Sequence, residues 1–510
     1  MQWLSQHLVL ADASFDGGNL DCGNGLLLLL RKHMDPLRPG QLLEVVSNEV
    51  SVEEDLPAWA RLTGNELVSC TRAGARRSYL ICKGPRSAPA TEASFSSPAV
   101  SPGVRSASAD SVRMMPSPQT EVLPIAPLSV MGVGSWPRPR WMLQAIHEHL
   151  EGRLDEQGFQ ETADDAVRLA VDAQLRAGVD VVTDGEQRRD GYASFVGSRL
   201  DNCQLVPITD LLPYVDDPEE FERELRALDV PAQRVRHPAV LGKLQRSRPI
   251  AVHELSFARR LTDKPIKVAL PGPYLLTRTM WLECVSDRFY REREQLAGDV
   301  VNVLREEVKA LLAAGAALVQ LDEPVLTEVV LGRPAKNRSF MCGALGARRP
   351  PEEELAFAVG LINEVIADLP RHRLAVHICR GNWSRDEGVA LAGDYRPLLP
   401  SLCAIKAGTF FLEMCTPRAG ELKVLADLPS SCRLGLGVVN QKTERAETVE
   451  EVLACAERAI AVFGPERLLL NPDCGFATFA DNPVASAEVA EAKLAAIVAA
   501  GHILRQRHGL

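Results

Sequence analysis

Four positions in the second half of the sequence could together hold a soft divalent metal. His377 and Cys379 stand two apart in AVHICRGN, so on an extended strand both side chains face the same way. Glu413 follows the apolar run GTFFL, and Cys474 lies in NPDCGF. Two sulfurs, one imidazole and one carboxylate suit Zn²⁺ in tetrahedral geometry. A His-x-Cys pair alone would read as core packing. The added Glu and Cys, each just past a strand-like run, turn that reading around. Zinc lowers the pKa of a bound thiol enough to hold it as thiolate at neutral pH, and a thiolate attacks electrophilic carbon. A structural zinc site would use closely spaced ligand pairs in a closed shell. These ligands come from three separate strands, so the expected metal is catalytic, with the carboxylate the ligand that a substrate sulfur would replace.

The elements that must position these residues are eight apolar runs: Leu128–Val133, Val179–Thr183, Ile266–Leu270, Ala317–Leu321, Leu374–Ile378, Gly408–Leu412, Arg433–Val438 and Leu468–Leu470. Helical patterns lie between most of them, at Arg291–Ala314, Glu352–Ala367, Thr448–Val462 and Pro483–Ala500. Alternating strands and helices imply parallel pairing with right-handed crossovers, and eight such units fit a (β/α)₈ TIM barrel spanning 125–510. An open doubly wound sheet is the alternative, but no GxGxxG turn follows the first run. Barrel sites form at the C-terminal ends of the strands. Polar or special residues do follow each run, among them Ser135, Glu186, Asp322, His377, Glu413, Lys442 and Cys474.

A chain of 510 residues exceeds one ordinary core. Residues 85–124 are rich in Ser, Pro and Ala and read as a flexible linker between two domains. The net charge of −10 argues against nucleic-acid binding. No apolar run approaches the ~20 residues that span a bilayer, and no basic region precedes the first apolar residues, so the expected address is cytoplasmic. The 12 cysteines show no framework spacing, so in a reducing compartment most read as free thiols packed in cores.

The segments VHICRGN, FFLEM, GLGVV and ERLLLNPDCGF resemble the catalytic barrel of cobalamin-independent methionine synthase. The likeness runs from about Ile125 to the C-terminus. It implies a zinc-dependent S-methyltransferase that makes methionine from homocysteine, with zinc on His377, Cys379, Glu413 and Cys474. It further implies that Ser135 in GVGSWP, Glu186 in TDGE and Asp322 in LDEP bind the amino and carboxylate groups of homocysteine. Two features depart from that family. Its long form carries a second, N-terminal barrel with no counterpart here. Its proton-donating histidine after the seventh strand is replaced by Lys442, a weaker acid at neutral pH, which implies an electrostatic role. The expected methyl donor is a folate or a corrinoid protein. Related barrels include thiol–epoxide transferases and zinc-free porphyrinogen decarboxylases, and the intact ligand set argues against the last.

Residues 1–84 alternate strand and helix signals in the manner of a small α+β two-layer sandwich. Strands are expected at His7–Leu10, Gln41–Val46, Glu66–Thr71 and Arg76–Cys82, the last two as a hairpin across Ala73–Gly74. Helices are expected at Asn24–Met34 and Ser51–Thr63, the second opened by a Ser51/Glu54 capping box. The stretch NLDCGNGLLLLLRKHM is similar to the first helix of TusA-like sulfur-carrier domains, which implies a carrier thiol at Cys22. A helix N-terminus would favour its thiolate or persulfide. The family's Cys-Pro-x-Pro appears here as Cys22-Gly23-Asn24-Gly25. Alkylation of another thiol, a sulfur relay from Cys22 to the metal, and a binding module built round a structural metal are the competing readings.

Overall fold

Alternation along the first strands decides which face of the N-terminal sheet is covered. In the computed structural model, which describes all residues except 1–2, 5, 21–25, 75, 86–123, 209–234, 282–285, 287–288, 333–348 and 383, the chain divides into units Met1–Glu121 and Val122–Leu510. The first unit contains β1 (Trp3–Leu4), β2 (Ala13–Asp16), α1 (Leu27–Met34), β3 (Leu42–Ser47), α2 (Val52–Leu62), β4 (Glu66–Ala73) and β5 (Arg76–Cys82). Its sheet runs β1-β4-β5-β3-β2, antiparallel at β4–β5 and β3–β5 and parallel at both edges. Leu43 and Val45 point inward from β3 and share a core with Leu30, Met34, Val52 and Leu56 of the helices.

Two expectations for this unit fail. His7–Leu10 is not a strand: Leu8 and Leu10 are 81% and 93% exposed, while the His7 ring reaches Ser69 Oγ at 2.7 Å and Ser78 Oγ at 2.8 Å. Side-chain anchoring takes the place of ladder bonds there. Ser51 makes no capping box, because its backbone is already helical (φ −60°, ψ −25°), whereas a cap needs extended geometry. Glu49 Oε1 accepts the Val50 and Ser51 N–H groups instead, at 2.9 and 3.3 Å. Cys22 and the 85–124 linker, apart from its ends, fall outside the described residues.

The second unit opens with α3 (Arg140–Leu150), α4 (Glu156–Ala177), an antiparallel pair β6 (Asp201–Pro207) and β7 (Arg236–Gln245), and α5 (Val252–Ala258). There follow β8 (Lys267–Pro271), α6 (Pro273–Met280), α7 (Arg293–Ala313), β9 (Leu318–Asp322), α8 (Val325–Leu331), α9 (Pro351–Ile366), β10 (Leu374–Ile378) and α10 (Leu399–Ala404). Then come β11 (Thr409–Leu412), β12 (Arg433–Val439), α11 (Val449–Phe463), β13 (Leu468–Pro472), a short β14 (Ala477–Phe479) with β15 (Asn482–Pro483), and α12 (Ala487–His508). Strands β8 to β13 pair in parallel in sequence order. Nearly all their residues are buried, as a parallel sheet covered by helices requires.

Parallel bridges Val130–Leu470, Met131–Val181 and Val182–Ile266 join the two ends of this sheet, giving a TIM-barrel-like ring. The first two expected strands, Leu128–Val133 and Val179–Thr183, shrink to these bridges. Leu128 takes a positive φ of 55°, and the Asp180 carboxylate, not a neighbouring carbonyl, accepts the Val130 N–H at 2.8 Å. The expected helices at 291–314, 352–367 and 448–462 appear nearly as drawn. The last starts later than expected, at Ala487, where Ser486 Oγ accepts the Val489 N–H at 3.2 Å. Among the described residues, only 3₁₀ turns separate β11 from β12. No described helix is long and apolar enough to cross a membrane.

Candidate metal centre

Parallel register stacks the site residues on the inner face of the ring. His377 on β10 pairs with Asp322 on β9 and with Phe411 on β11. Side chains two apart share the interior, so Cys379 follows His377 toward the C-terminal mouth. Cys474 arrives from the loop after β13. One ligand atom each from His377, Cys379 and Cys474 lie within 4.8 Å of one another, and all three residues are buried.

The protonation pattern of this group fits a soft cation. Asp322 Oδ1 sits 3.0 Å from His377 Nδ1, so Nδ1 carries the proton. Nε2 is buried and has no hydrogen-bond partner among the described residues. An imidazole lone pair left unpaired in the interior is costly unless something accepts it. A carboxylate behind a metal-binding histidine is the usual second partner that orients the ring. The two thiols form a coupled pair. A hydrogen bond from Cys474 lowers the Cys379 thiol, whereas that same contact, followed by burial, raises Cys474 well above the ordinary range. Two thiolates so close cannot both form without a cation to offset them. His377, Cys379 and Cys474 therefore fit zinc.

Glu413 stands outside this group of three. Its Oε1 accepts the Arg380 N–H at 2.8 Å, and Arg418 lies 3.4 Å from Oε2. Burial, with Asp473 nearby, pushes its carboxyl up to about 7. The structure thus brings together three of the four expected ligands and ties the fourth to the Arg380 N–H, just past β10, and to Arg418.

Ser135, Glu186 and Asp322 line the same cavity as the three ligands. Asp322 Oδ1 is committed to His377 Nδ1 and to Gln320 Nε2 (2.7 Å), which leaves Oδ2 for the cavity. Glu186 adopts φ 55°, held by Asp184 Oδ1 accepting its N–H at 3.0 Å. A Cβ on Gly134 would lie 2.2 Å from Glu186 Oε1, so the glycine of GVGSWP makes room for this carboxylate. Burial pushes the Glu186 carboxyl up to about 7, although Arg189 opposes the shift from 3.8 Å. Ser135 Oγ accepts the Ala477 N–H at 3.2 Å and its carbonyl accepts the Phe476 N–H at 3.1 Å, binding the first loop to the loop that carries Cys474. Lys442 does not line the cavity. Its Nζ points to the Asp386 carbonyl at 3.5 Å, and burial lowers its ammonium despite the pull of Glu413.

Several supporting residues were missed by sequence reasoning. Asp473 is fully buried. Its Oδ1 accepts the Met414 and Cys415 N–H groups at 2.8 and 3.0 Å, and the Cys415 thiol donates to Oδ2 at 2.9 Å. It ties the residue after Glu413 to the residue before Cys474. A Cβ on Gly437 would lie 2.0 Å from Asp473 Oδ1, which explains the second glycine of GLGVV. Asn382 donates to the Gly475 carbonyl at 2.7 Å and accepts from Gln441 at 2.7 Å, joining the exits of β10, β12 and β13. The available signal was position alone: both follow strands whose ends were already marked.

A His/Cys/Cys group at the mouth of a parallel ring, beside two buried carboxylates in one cavity, has the donors of a soft-metal site. The chain belongs to the family described as cobalamin-independent synthase, catalytic domain, whose model matches residues 128–212 and 223–500. Methionine synthase of Saccharolobus solfataricus is 28% identical over 386 residues, covering 75% of this chain and 96% of that protein. Methionine synthase of Sulfurisphaera tokodaii is 28% identical over 354 residues, covering 69% and 86%. A B12-independent methionine synthase from Shewanella sp. W3-18-1, solved in complex with selenomethionine, has a TM-score of 0.57 at 24% identity, over 75% of this chain and 99% of that one. The corresponding protein of Listeria monocytogenes gives 0.54 at 19%, over 74% and 98%. At these identities the structures establish the shared fold.

Proposed function

We propose that the chain is a zinc-dependent S-methyltransferase, built on a (β/α)₈ barrel, that converts homocysteine to methionine. The observation that carries this is the lone pair of His377 Nε2, buried and unpartnered beside two cysteines in a cavity shared with Glu186 and Asp322. Zinc on His377, Cys379 and Cys474 would supply the Lewis acidity that keeps a substrate thiol deprotonated at neutral pH. Glu413 would be the fourth ligand, although at rest Arg380 and Arg418 hold its carboxylate outside that group. The substrate ammonium lies between Glu186 and the free oxygen of Asp322, and Ser135 faces its carboxylate. Lys442 offsets the negative charge of Glu413 from behind and moves no proton. The methyl donor is a methylated folate; a corrinoid donor finds no support in a family described as cobalamin-independent.

The first unit, with two helices against a five-stranded sheet, is proposed to be a TusA-like carrier joined by the 85–124 linker, with Cys22 as its thiol. The working address is the cytoplasm. The test of the main reading is to incubate zinc-loaded protein with homocysteine and a methylated folate and to measure methionine by mass spectrometry. Methionine formation that needs both substrates and stops with a chelator supports the reading. A different thioether, or none with any methyl donor, overturns it.

A further inference from the structure

A lysine occupies the interior of the ring where apolar side chains would be expected. Met131, Val181, Leu318, Ala375, Phe411 and Leu469 form the inner cluster of the ring. Lys267, on β8, is 1% exposed and reaches the same interior. Burying an ammonium costs several kcal/mol. A methionine of similar length would fill the space without that cost. Among the described residues no carboxylate forms an ion pair with this ammonium. It donates to Gln320 Oε1 at 2.8 Å and lies 4.2 Å from the centroid of the Phe411 ring. Burial lowers it to about 7, with Asp322 and Glu186 as the nearby negative charges that oppose the shift.

The consequence lies in direction. As an ammonium lysine has donors only, so the Gln320 oxygen faces it and the amide NH₂ turns the other way, toward the Asp322 carboxylate. That NH₂ meets Asp322 Oδ1 at 2.7 Å, and the same oxygen accepts from His377 Nδ1 at 3.0 Å. Register supports the climb: Lys267 pairs with Leu318, Ala269 with Gln320, and Asp322 with His377. With Gln320 reversed, its oxygen would face a carboxylate and its NH₂ an ammonium, two repulsive contacts in a dry interior.

We propose that Lys267 is a positioning residue for His377: acting through Gln320 and Asp322, it fixes the imidazole with its proton on Nδ1 and its Nε2 lone pair toward Cys379 and Cys474. This rests on the reading of those three residues as the zinc group.

The test measures zinc affinity by chelator competition, together with thermal unfolding, in Lys267→Met, Gln320→Leu, the double variant and Cys474→Ser. Lys267→Met should still fold cooperatively, because the relief of a buried charge offsets the loss of one donor to the Gln320 oxygen. Its zinc affinity should nevertheless fall ~10–100-fold, the range for partners behind a ligand. Gln320→Leu should lose as much, and the double variant no more than either, since both break one chain. With cobalt(II) in place of zinc, the visible bands should shift in Lys267→Met, which a packing role would not cause. If Cys474→Ser loses zinc while Lys267→Met stays within about twofold of the parent, the positioning role is wrong and the metal site stands. Additive losses in the double variant would equally overturn it. If Cys474→Ser keeps its zinc, the metal reading itself falls, and the role of Lys267 with it.

Discussion

Replacing Glu186 by glutamine removes a charge and little else. The amide has the shape of the carboxylate, and the space beside Gly134 accepts it unchanged. The backbone at φ 55° is held by Asp184, not by the side chain. Arg189 keeps its closer partner Glu254, at 2.6 Å, so no guanidinium is stranded. What is lost is one charge-assisted hydrogen bond to the substrate ammonium, about 1.5–3 kcal/mol. At about 1.4 kcal/mol per decade this is roughly 10–150-fold in kcat/KM. The assay compares homocysteine with 4-mercaptobutyrate, the same thiol without its amine, at fixed methyl-folate. Only homocysteine should suffer. Its turnover by the parent should also rise with pH through about 7, where burial has placed the Glu186 carboxyl, and the glutamine variant should lack that rise. The stability sign runs the other way. A carboxyl whose folded pKa is raised loses stability as pH climbs from the unfolded value of 4.5 toward about 7, because the unfolded chain releases its proton first. The glutamine variant should lose that slope in urea titrations. Equal loss for both thiols would refute the placing of the ammonium at Glu186.

Other outcomes follow from the same geometry. His377→Ala, Cys379→Ser and Cys474→Ser should each lose zinc by orders of magnitude in metal analysis, because each leaves an incomplete shell. Glu413→Gln should lose much less in the absence of substrate, since Arg380 and Arg418 already hold that carboxylate; a loss equal to the other three would show that Glu413 is a full ligand at rest. Gly437→Ala should destabilise the protein by about 1–3 kcal/mol in urea, because its methyl displaces Asp473 from two backbone N–H groups. Cys22→Ser should leave methylation of supplied homocysteine intact but abolish sulfane-sulfur labelling of the chain by a persulfide donor (Cys–SH + R–SSH → Cys–SSH + R–SH), read by intact mass; undiminished labelling would end the carrier reading.

Six of the eight ring strands were legible because each is a short apolar run ended by a polar residue. The first two were drawn too long: Leu128 bends to a positive φ and Asp180 takes a ladder bond, and neither shows in an apolar pattern. The meeting of His377, Cys379 and Cys474 was legible because the first two obey the two-residue period and the third follows a strand. Glu413 obeys the same positional rule yet stands aside, since position along the chain does not reveal that Arg380 and Arg418 compete for it. Lys267 and Gln320 escaped notice for a related reason. Polar residues within a strand read as solvent-facing until closure of the ring turns them inward. Ser51 matched a capping pattern that its helical backbone forbids, with Glu49 supplying the acceptor.

The most direct test of the account is X-ray absorption at the zinc edge, with and without homocysteine. Two sulfur scatterers at about 2.3 Å and one imidazole nitrogen at about 2.0–2.1 Å are predicted for the resting protein. Addition of homocysteine should raise the sulfur count to three. A sulfur count unchanged by homocysteine, or a resting shell without two sulfurs, would contradict the claim that His377, Cys379 and Cys474 hold the metal that receives the substrate thiol.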